Sequence, residues 1–274
     1  MNYRHAFHAG NHADVFKHAA LVTVLEHLLA KPAPFAVLDT HAGVGVYGLD
    51  SDEALRTREF EAGVGRLAGA DLPAARGYLA LLADLNPHGL AVYPGSPEIV
   101  RRHLREQDRL IACELHPADH AALKGRYRGD RRIAAHRRDG YEAVGALTPP
   151  AERRGLVLID PPYEAPDEAE RVVAALTAGL RRWRTGVFMA WYPIKDGAIG
   201  DMLAGAASVG AFPRTLRAEL TPLPRNGTGM AGGGLIVVNA PWRLDEKLAS
   251  LAERLAALLG DGMGTWSVGW VTPP

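Results

Sequence analysis

The chain has one cysteine, no excess of either charge and no long apolar run, and each shortage excludes a class of protein. A single cysteine cannot close an intrachain disulfide, so this is no disulfide-stapled scaffold. Cys113, set in LIACEL, reads as an inert buried thiol. The 31 Lys and Arg balance 31 Asp and Glu, which excludes a uniformly basic coat for nucleic acid. Local basic clusters remain, at Arg101-Arg102, Arg131-Arg132, Arg137-Arg138, Arg153-Arg154, and Arg181-Arg182 with Arg184. No stretch approaches the roughly 18 apolar residues of a membrane span, and no basic, apolar leader opens the chain. The expectation is a soluble, cytoplasmic protein. With 274 residues, 47% of them hydrophobic, the chain can bury one large core, or a core with an insertion.

Strand-like runs end near Thr40 (FAVLDT), Glu114 (LIACE), Arg137 (RIAAHR), Asp160 (GLVLID), Tyr192 (GVFMAWY), Leu220 (TLRAEL) and Asn239 (GLIVVN). Helix-like segments separate most of them, which predicts βα units and a mostly parallel sheet. The runs 214–220 and 234–239, joined by a Gly-rich loop, predict an antiparallel edge. Residues 11–30 read as a helix with Asn11 as N-cap, Asp14 in its first turn and an apolar stripe of Val15, Leu21, Val22, Leu25, Leu28 and Leu29. Residues 243–259 form another, with leucines at helical spacing. The stretch 49–93 lacks a strand and reads as a helical insertion, dividing the main domain into 1–48 and 94–274. Gly227–Gly234 reads as a flexible loop.

The most informative stretch is GLVLIDPPY, residues 155–163. A buried apolar strand ends in Asp160-Pro161-Pro162-Tyr163, where two prolines forbid further ladder bonds. Open α/β sheets bind ligands at such carboxyl ends. Asp160 and a neighbouring carbonyl can accept from an exocyclic amine, while Tyr163 offers a stacking face. The tetrapeptide is similar to the DPPY motif of amino-group methyltransferases. Earlier, Gly43-Val44-Gly45-Val46-Tyr47-Gly48 matches a dinucleotide fingerprint. That fingerprint needs a second strand ending in an acid ~20 residues on, and REFEAGVGRL there looks helical. The next such acid is Glu114, suited to a ribose. Asp139-Gly140 follows the third strand and suits an adenine edge. The order of Gly-rich loop, ribose acid, Asp-Gly and DPPY favours S-adenosylmethionine over a nicotinamide.

The opening YRHAFHAGNHADVFKH gathers Tyr3, Arg4, His5, His8, His12, Lys17 and His18. Its histidines match no fixed metal-ligand frame. The segment reads as lying over the cofactor site, with Lys17 and His18 near a helix start that favours carboxylates. Tyr3, Arg4 and His5 would then be available to RNA. Ser96, in Tyr93-Pro94-Gly95-Ser96-Pro97, reads as the N-cap of the following helix or as a cofactor contact.

YRHAFHAGNHADVFKH, LDTHAGVGVYGL, YPGSPEI, CELHP, LIDPPYE, WYPI and VVNAPW together resemble the bacterial 23S ribosomal RNA adenine-N6 methyltransferases of the RlmJ family. The match runs in register along the whole chain. The resemblance implies a Rossmann-like class I methyltransferase fold, with a mostly parallel seven-stranded sheet and a helical insertion. It also implies a monomer that methylates 23S rRNA with S-adenosylmethionine. It implies cofactor contacts at Lys17, His18, His41, Ser96, Glu114, Asp139 and Gly140. Asp160 would be the catalytic acceptor, with Pro161 and Tyr163 beside it, and Tyr3 would touch RNA. The loop 224–234 departs from the family in being Gly-rich. DPPY alone leaves a DNA adenine-N6 methyltransferase open, the glycines leave a nicotinamide-dependent oxidoreductase open, and a non-catalytic RNA-binding protein is a third reading.

Overall fold

The computed structural model describes residues 4–195, 198–224 and 229–274. Its main sheet has eight strands: β1 (Ala36–Asp39), β4 (Arg109–Cys113), β5 (Ile133–His136), β6 (Gly155–Ile159), β7 (Val187–Ile194), β8 (Thr215–Thr221), β9 (Gly232–Val238) and β10 (Thr265–Thr272). Two short strands, β2 (Val46–Gly48) and β3 (Val92–Pro94), pair antiparallel outside it. The order is β10-β8-β9-β7-β6-β1-β4-β5. Strands β5, β4, β1, β6 and β7 run parallel, and β9 inserts antiparallel between β7 and β8.

Each of the seven expected strands is present. The 214–220 and 234–239 runs do pair antiparallel, but they are not the sheet's edge. An unpredicted strand, β10, covers β8 antiparallel from Thr265 to Thr272. TWSVGWVT is partly exposed and broken by Ser267 and Gly269, so it lacks the apolar continuity of a strand buried on both faces. The Gly-rich loop is also shorter than expected, because Gly232, Gly233 and Gly234 open β9. A Cβ on Gly233 would stand 2.7 Å from Trp191 Nε1, and one on Gly234 would stand 2.1 Å from the Tyr192 ring. Two aromatics of β7 fill the space that side chains on β9 would need.

Alternating strand residues feed two cores. Leu156, Leu158 and Met189 face one side, with the helices that carry Leu21, Ile99, Leu123 and Leu251. Val157, Ile159 and Phe188 face the other, with the helices that carry Val144, Leu176 and Leu203. The first helix, α1 (His12–Leu29), is capped by Asn11, whose Oδ1 accepts from the Ala13 and Asp14 amides. It buries more than the expected stripe: Asp14, Lys17, His18 and Thr23 are inside as well. The reason is position, since α1 lies between β9, the helix Leu244–Leu259 and the helix Arg76–Leu85.

Between β2 and β3 the chain forms helices Asp52–Thr57, Glu59–Ala62 and Arg76–Leu85 with two short 3-10 turns. The expectation that 49–93 holds no strand is corrected at its end, where Val92 and Tyr93 pair with Gly48 and Tyr47. Among the described residues no helix is long and apolar enough to cross a membrane.

Candidate active site

The parallel strands end around a cavity of about 610 Å³, within the range of small-molecule sites. It opens where β1 is flanked by β4 on one side and β6 on the other, the point at which strand order reverses.

At its centre is Lys17. Its Nζ donates to Asp14 Oδ1 at 2.8 Å and to Asp160 Oδ2 at 2.6 Å. Burial alone would lower this ammonium's pKa, but the two carboxylates outweigh it and hold the pKa above its usual value. Asp14 also accepts from the Gly10 amide and from His5 Nε2, each at 2.9 Å. Burial would raise its pKa, but His5 and Lys17 beside it hold it well below the usual carboxylate range. His18 takes a separate path. Its Nδ1 pairs with the Tyr93 hydroxyl at 2.8 Å, which pairs with Tyr78 at 2.9 Å, and burial pushes the imidazole pKa down to about 3.

Asp160 follows β6, and the prolines turn the chain so that Tyr163 sits at φ +53°. The Tyr163 hydroxyl donates to the Trp191 carbonyl at 3.0 Å, and the two rings meet edge to face at 5.8 Å. Lys17 Nζ lies 5.7 Å from the centre of the Trp191 ring. Asp160, Pro161, Tyr163 and Trp191 therefore form one wall of the cavity.

The opposite wall comes from the loops after β1, β4 and β5. Gly43 and Gly45 adopt φ of +61° and +87°, a region costly for other residues. Glu114 accepts the Gly43 amide at 2.9 Å through one oxygen and the His116 amide at 2.8 Å through the other. Burial raises its pKa. Asp139 caps the helix Gly140–Leu147, accepting the Tyr141 and Glu142 amides. A Cβ on Gly140 would stand 2.1 Å from the Thr40 carbonyl oxygen, so this loop lies directly against the β1 loop. His41 Nδ1 pairs with the Thr40 hydroxyl at 2.7 Å, and burial pushes its pKa down to about 4.

The cavity thus brings together Arg4, His5, Lys17, His18, His41, Ser96, Glu114, Asp139, Gly140, Asp160, Pro161 and Tyr163. Tyr3 lies outside the described residues. One expectation is corrected: Gly95, not Ser96, is the N-cap of the helix Ser96–His103, and no side chain caps it. Pro97 occupies the first turn and Ser96 is already helical, buried at the cavity wall. The dinucleotide fingerprint also loses its context, because Val46–Gly48 is strand β2 where a phosphate-binding helix would have to begin.

Sequence reasoning missed Asp39. It is fully buried at the end of β1, and neither of its oxygens makes a hydrogen bond of ordinary geometry, although Ser96 and the His41 amide face it. Burial pushes its pKa up to about 7. The signal was present, an acid ending an apolar strand as Asp160 does. Tyr141, Glu168, Arg171 and Trp191 were missed too, because only the fold brings them to the cavity.

A family model described as Ribosomal RNA large subunit methyltransferase D, RlmJ, matches residues 32–272. Ribosomal RNA large subunit methyltransferase J of Haemophilus influenzae is 40% identical over 280 residues, covering 100% of this chain and 99% of that protein. The Escherichia coli protein of the same name is 40% identical over 279 residues, with 100% and 99% covered. The crystal structure of protein LPL1258 from Legionella pneumophila superposes with a TM-score of 0.89 at 31% identity, covering 96% of this chain and 98% of that one. Matched in sequence along its whole length and in fold across nearly all of it, the chain belongs to the RlmJ family of ribosomal RNA large subunit methyltransferases.

Proposed function

We propose that this chain methylates the N6 amine of one adenine in 23S ribosomal RNA, using S-adenosylmethionine, with Asp160 at the reacting amine. The observation that carries the reading is the position of Asp160. It stands at the end of β6 with one oxygen held by buried Lys17, on the wall opposite the glycine loop.

The residues of the second wall fit the cofactor. Glu114 stands where a ribose acid is needed, and Asp139 and Gly140 where an adenine edge is needed. Ser96 and His18 line the cavity wall and are suited to the amino-acid portion. Bound there, S-adenosylmethionine supplies an electrophilic methyl group. The protein's task is then to make a delocalised amine nucleophilic. Asp160 and the Pro161 carbonyl accept hydrogen bonds from the amine, which favours a tetrahedral nitrogen with a more available lone pair. Lys17 orients Asp160 through one oxygen and leaves the other to act as an acceptor. Tyr163 stacks on an extruded adenine, worth on the order of 1–3 kcal/mol. Holding the amine in line contributes by proximity.

On this reading residues 1–48 and 94–274 form the catalytic domain, and 49–93 form an inserted helical unit that braces the entrance. Glu59 supports this: it accepts Asn11 Nδ2 at 2.9 Å and pairs with His8 at 2.9 Å. Arg4 and His5, with Tyr3 before them, then meet the RNA. We further infer a cytoplasmic monomer.

The test is label transfer from tritiated S-adenosylmethionine to transcribed 23S rRNA, with duplex DNA alongside and Asp160→Ala as control. Methyl-adenine in rRNA alone, lost in the variant while cofactor affinity persists, supports the reading. Label in DNA alone overturns the substrate, and loss of cofactor affinity in Asp160→Ala moves that residue from the reaction to binding.

A further inference from the structure

Arg171 belongs to the helix Glu168–Arg182, which begins shortly after the DPPY loop, yet its guanidinium reaches the opposite wall of the cavity. Its NH2 donates to Asp139 Oδ2 at 2.9 Å. Its Cζ also lies 4.2 Å from the centre of the Tyr141 ring, a close cation–π contact. Tyr141 is fixed in turn, since its hydroxyl donates to buried Glu168 Oε1 at 3.2 Å and its ring meets His41 edge to face at 5.0 Å.

An isolated pair of partly exposed side chains contributes little to stability. This one differs in what it constrains. Oδ1 of Asp139 is already occupied by the Tyr141 and Glu142 amides. With the guanidinium on Oδ2, the carboxylate is held at both oxygens. Its remaining acceptor capacity is directed at a donor N–H, such as the exocyclic amine of a purine, and disfavours a carbonyl oxygen in that place.

We propose that Arg171 is a positioning residue for the cofactor's adenine, acting through Asp139 and Tyr141 and selecting an amino-purine over an oxo-purine. The proposal rests on the cofactor reading given above. It also means that the helix following the Asp160 loop is tied to the Asp139–Tyr141 loop by Arg171 beside Glu168. A change at Arg171 should therefore be read in cofactor recognition before chemistry.

The test uses the full-length protein, with Arg171→Met to keep the aliphatic stem and Arg171→Lys to keep the charge without the planar stack. Binding of S-adenosylhomocysteine and of S-inosylhomocysteine is measured by calorimetry, and initial rates are measured on transcribed 23S rRNA. Arg171→Met should weaken S-adenosylhomocysteine about tenfold and leave the inosyl compound nearly unchanged, so that discrimination narrows by the same factor. KM for S-adenosylmethionine should rise in parallel while kcat at saturation is retained, and Arg171→Lys should fall between. Equal losses for both ligands, unchanged affinity, or a fall in kcat with KM unaltered would each overturn the proposal. Wild-type protein that binds neither compound would overturn the cofactor reading itself.

Discussion

Lys17 Nζ lies 2.6 Å from Asp160 Oδ2, an ion pair that joins residues 143 positions apart and places a buried cation against the carboxylate at the end of β6. The Lys17 and Asp14 side chains are only 4% and 3% exposed, so this is a charged cluster inside the protein and not a surface decoration. Breaking such a cluster costs far more than the net value of the pair, because the remaining charges stay buried without compensation.

Lys17→Met should therefore lower the free energy of unfolding by about 3–5 kcal/mol. It should also slow methyl transfer by on the order of 10²-fold, since Asp160 loses the group that aims it. Combining it with Asp14→Asn removes one of the two opposed carboxylates. Stability should then recover in part, and the rate should not. Urea unfolding and single-turnover methyl transfer separate the two effects. Equal recovery of both would mean that Lys17 acts only through stability.

Asp39 gives a pH signature. Its folded pKa is pushed up to about 7 by burial, above the usual 3.8 of an aspartate, so the folded chain holds this proton more tightly than the unfolded chain. Its contribution to stability is complete below about pH 4 and is lost as pH rises toward 7. Asp39→Asn removes that dependence. Relative to wild type, the variant should gain about 1.4 kcal/mol per pH unit across this window. Denaturant titrations of both proteins across that window test it. A constant difference would mean that Asp39 titrates alike in both states.

Gly140→Ala places a methyl group against the Thr40 carbonyl oxygen, where an ideal Cβ would stand at 2.1 Å. Backbone cannot yield as a flexible side chain can, so the β1 and β5 loops must part. A stability loss of about 1–3 kcal/mol and a larger proportional loss of cofactor affinity should follow. Calorimetry beside thermal unfolding checks this. Undiminished affinity would show that the two loops need not touch for binding.

Tyr163 separates ring from hydroxyl. Tyr163→Phe keeps the stacking face and loses only the bond to the Trp191 carbonyl, so rRNA methylation should persist at a reduced rate. Tyr163→Ala removes the ring and should raise KM for RNA by about 10- to 100-fold. Steady-state kinetics with transcribed rRNA distinguish them. Equal kinetics for the two variants would assign the hydroxyl, and not the ring, the main role.

The sheet's interior was legible because strands buried on both faces read as unbroken apolar runs: FAVLD, LIAC, GLVLI and GVFMAWY are all of this kind. β10 was not, since an edge strand needs no such continuity. β2 and β3 span only Val46–Gly48 and Val92–Pro94, too short for any periodicity. In the site, glycines and strand-ending acids announced themselves by position in the chain. Asp14, Arg171 and Trp191 did not. Asp14 reads as an ordinary first-turn acid and Arg171 as an ordinary helix-face cation, and only packing brings each to the cavity. Lys17 and Asp160 were each legible as site residues, but the pairing of Lys17 with Asp14 and Asp160 was not.

The packing of α1 has a consequence for how the protein is made. This helix leaves the ribosome more than 200 residues before β9 and the helix Leu244–Leu259, yet they help to bury it. Until they arrive, α1 has its contacts with the helices Arg76–Leu85 and Ser96–His103 but lacks the cover that β9 and Leu244–Leu259 supply. Contacts so distant in sequence form slowly and late. A nascent chain that already contains Asp160 still lacks part of the packing around Lys17, so the Lys17–Asp160 ion pair gains its full enclosure only after β9 and the helix Leu244–Leu259 have emerged.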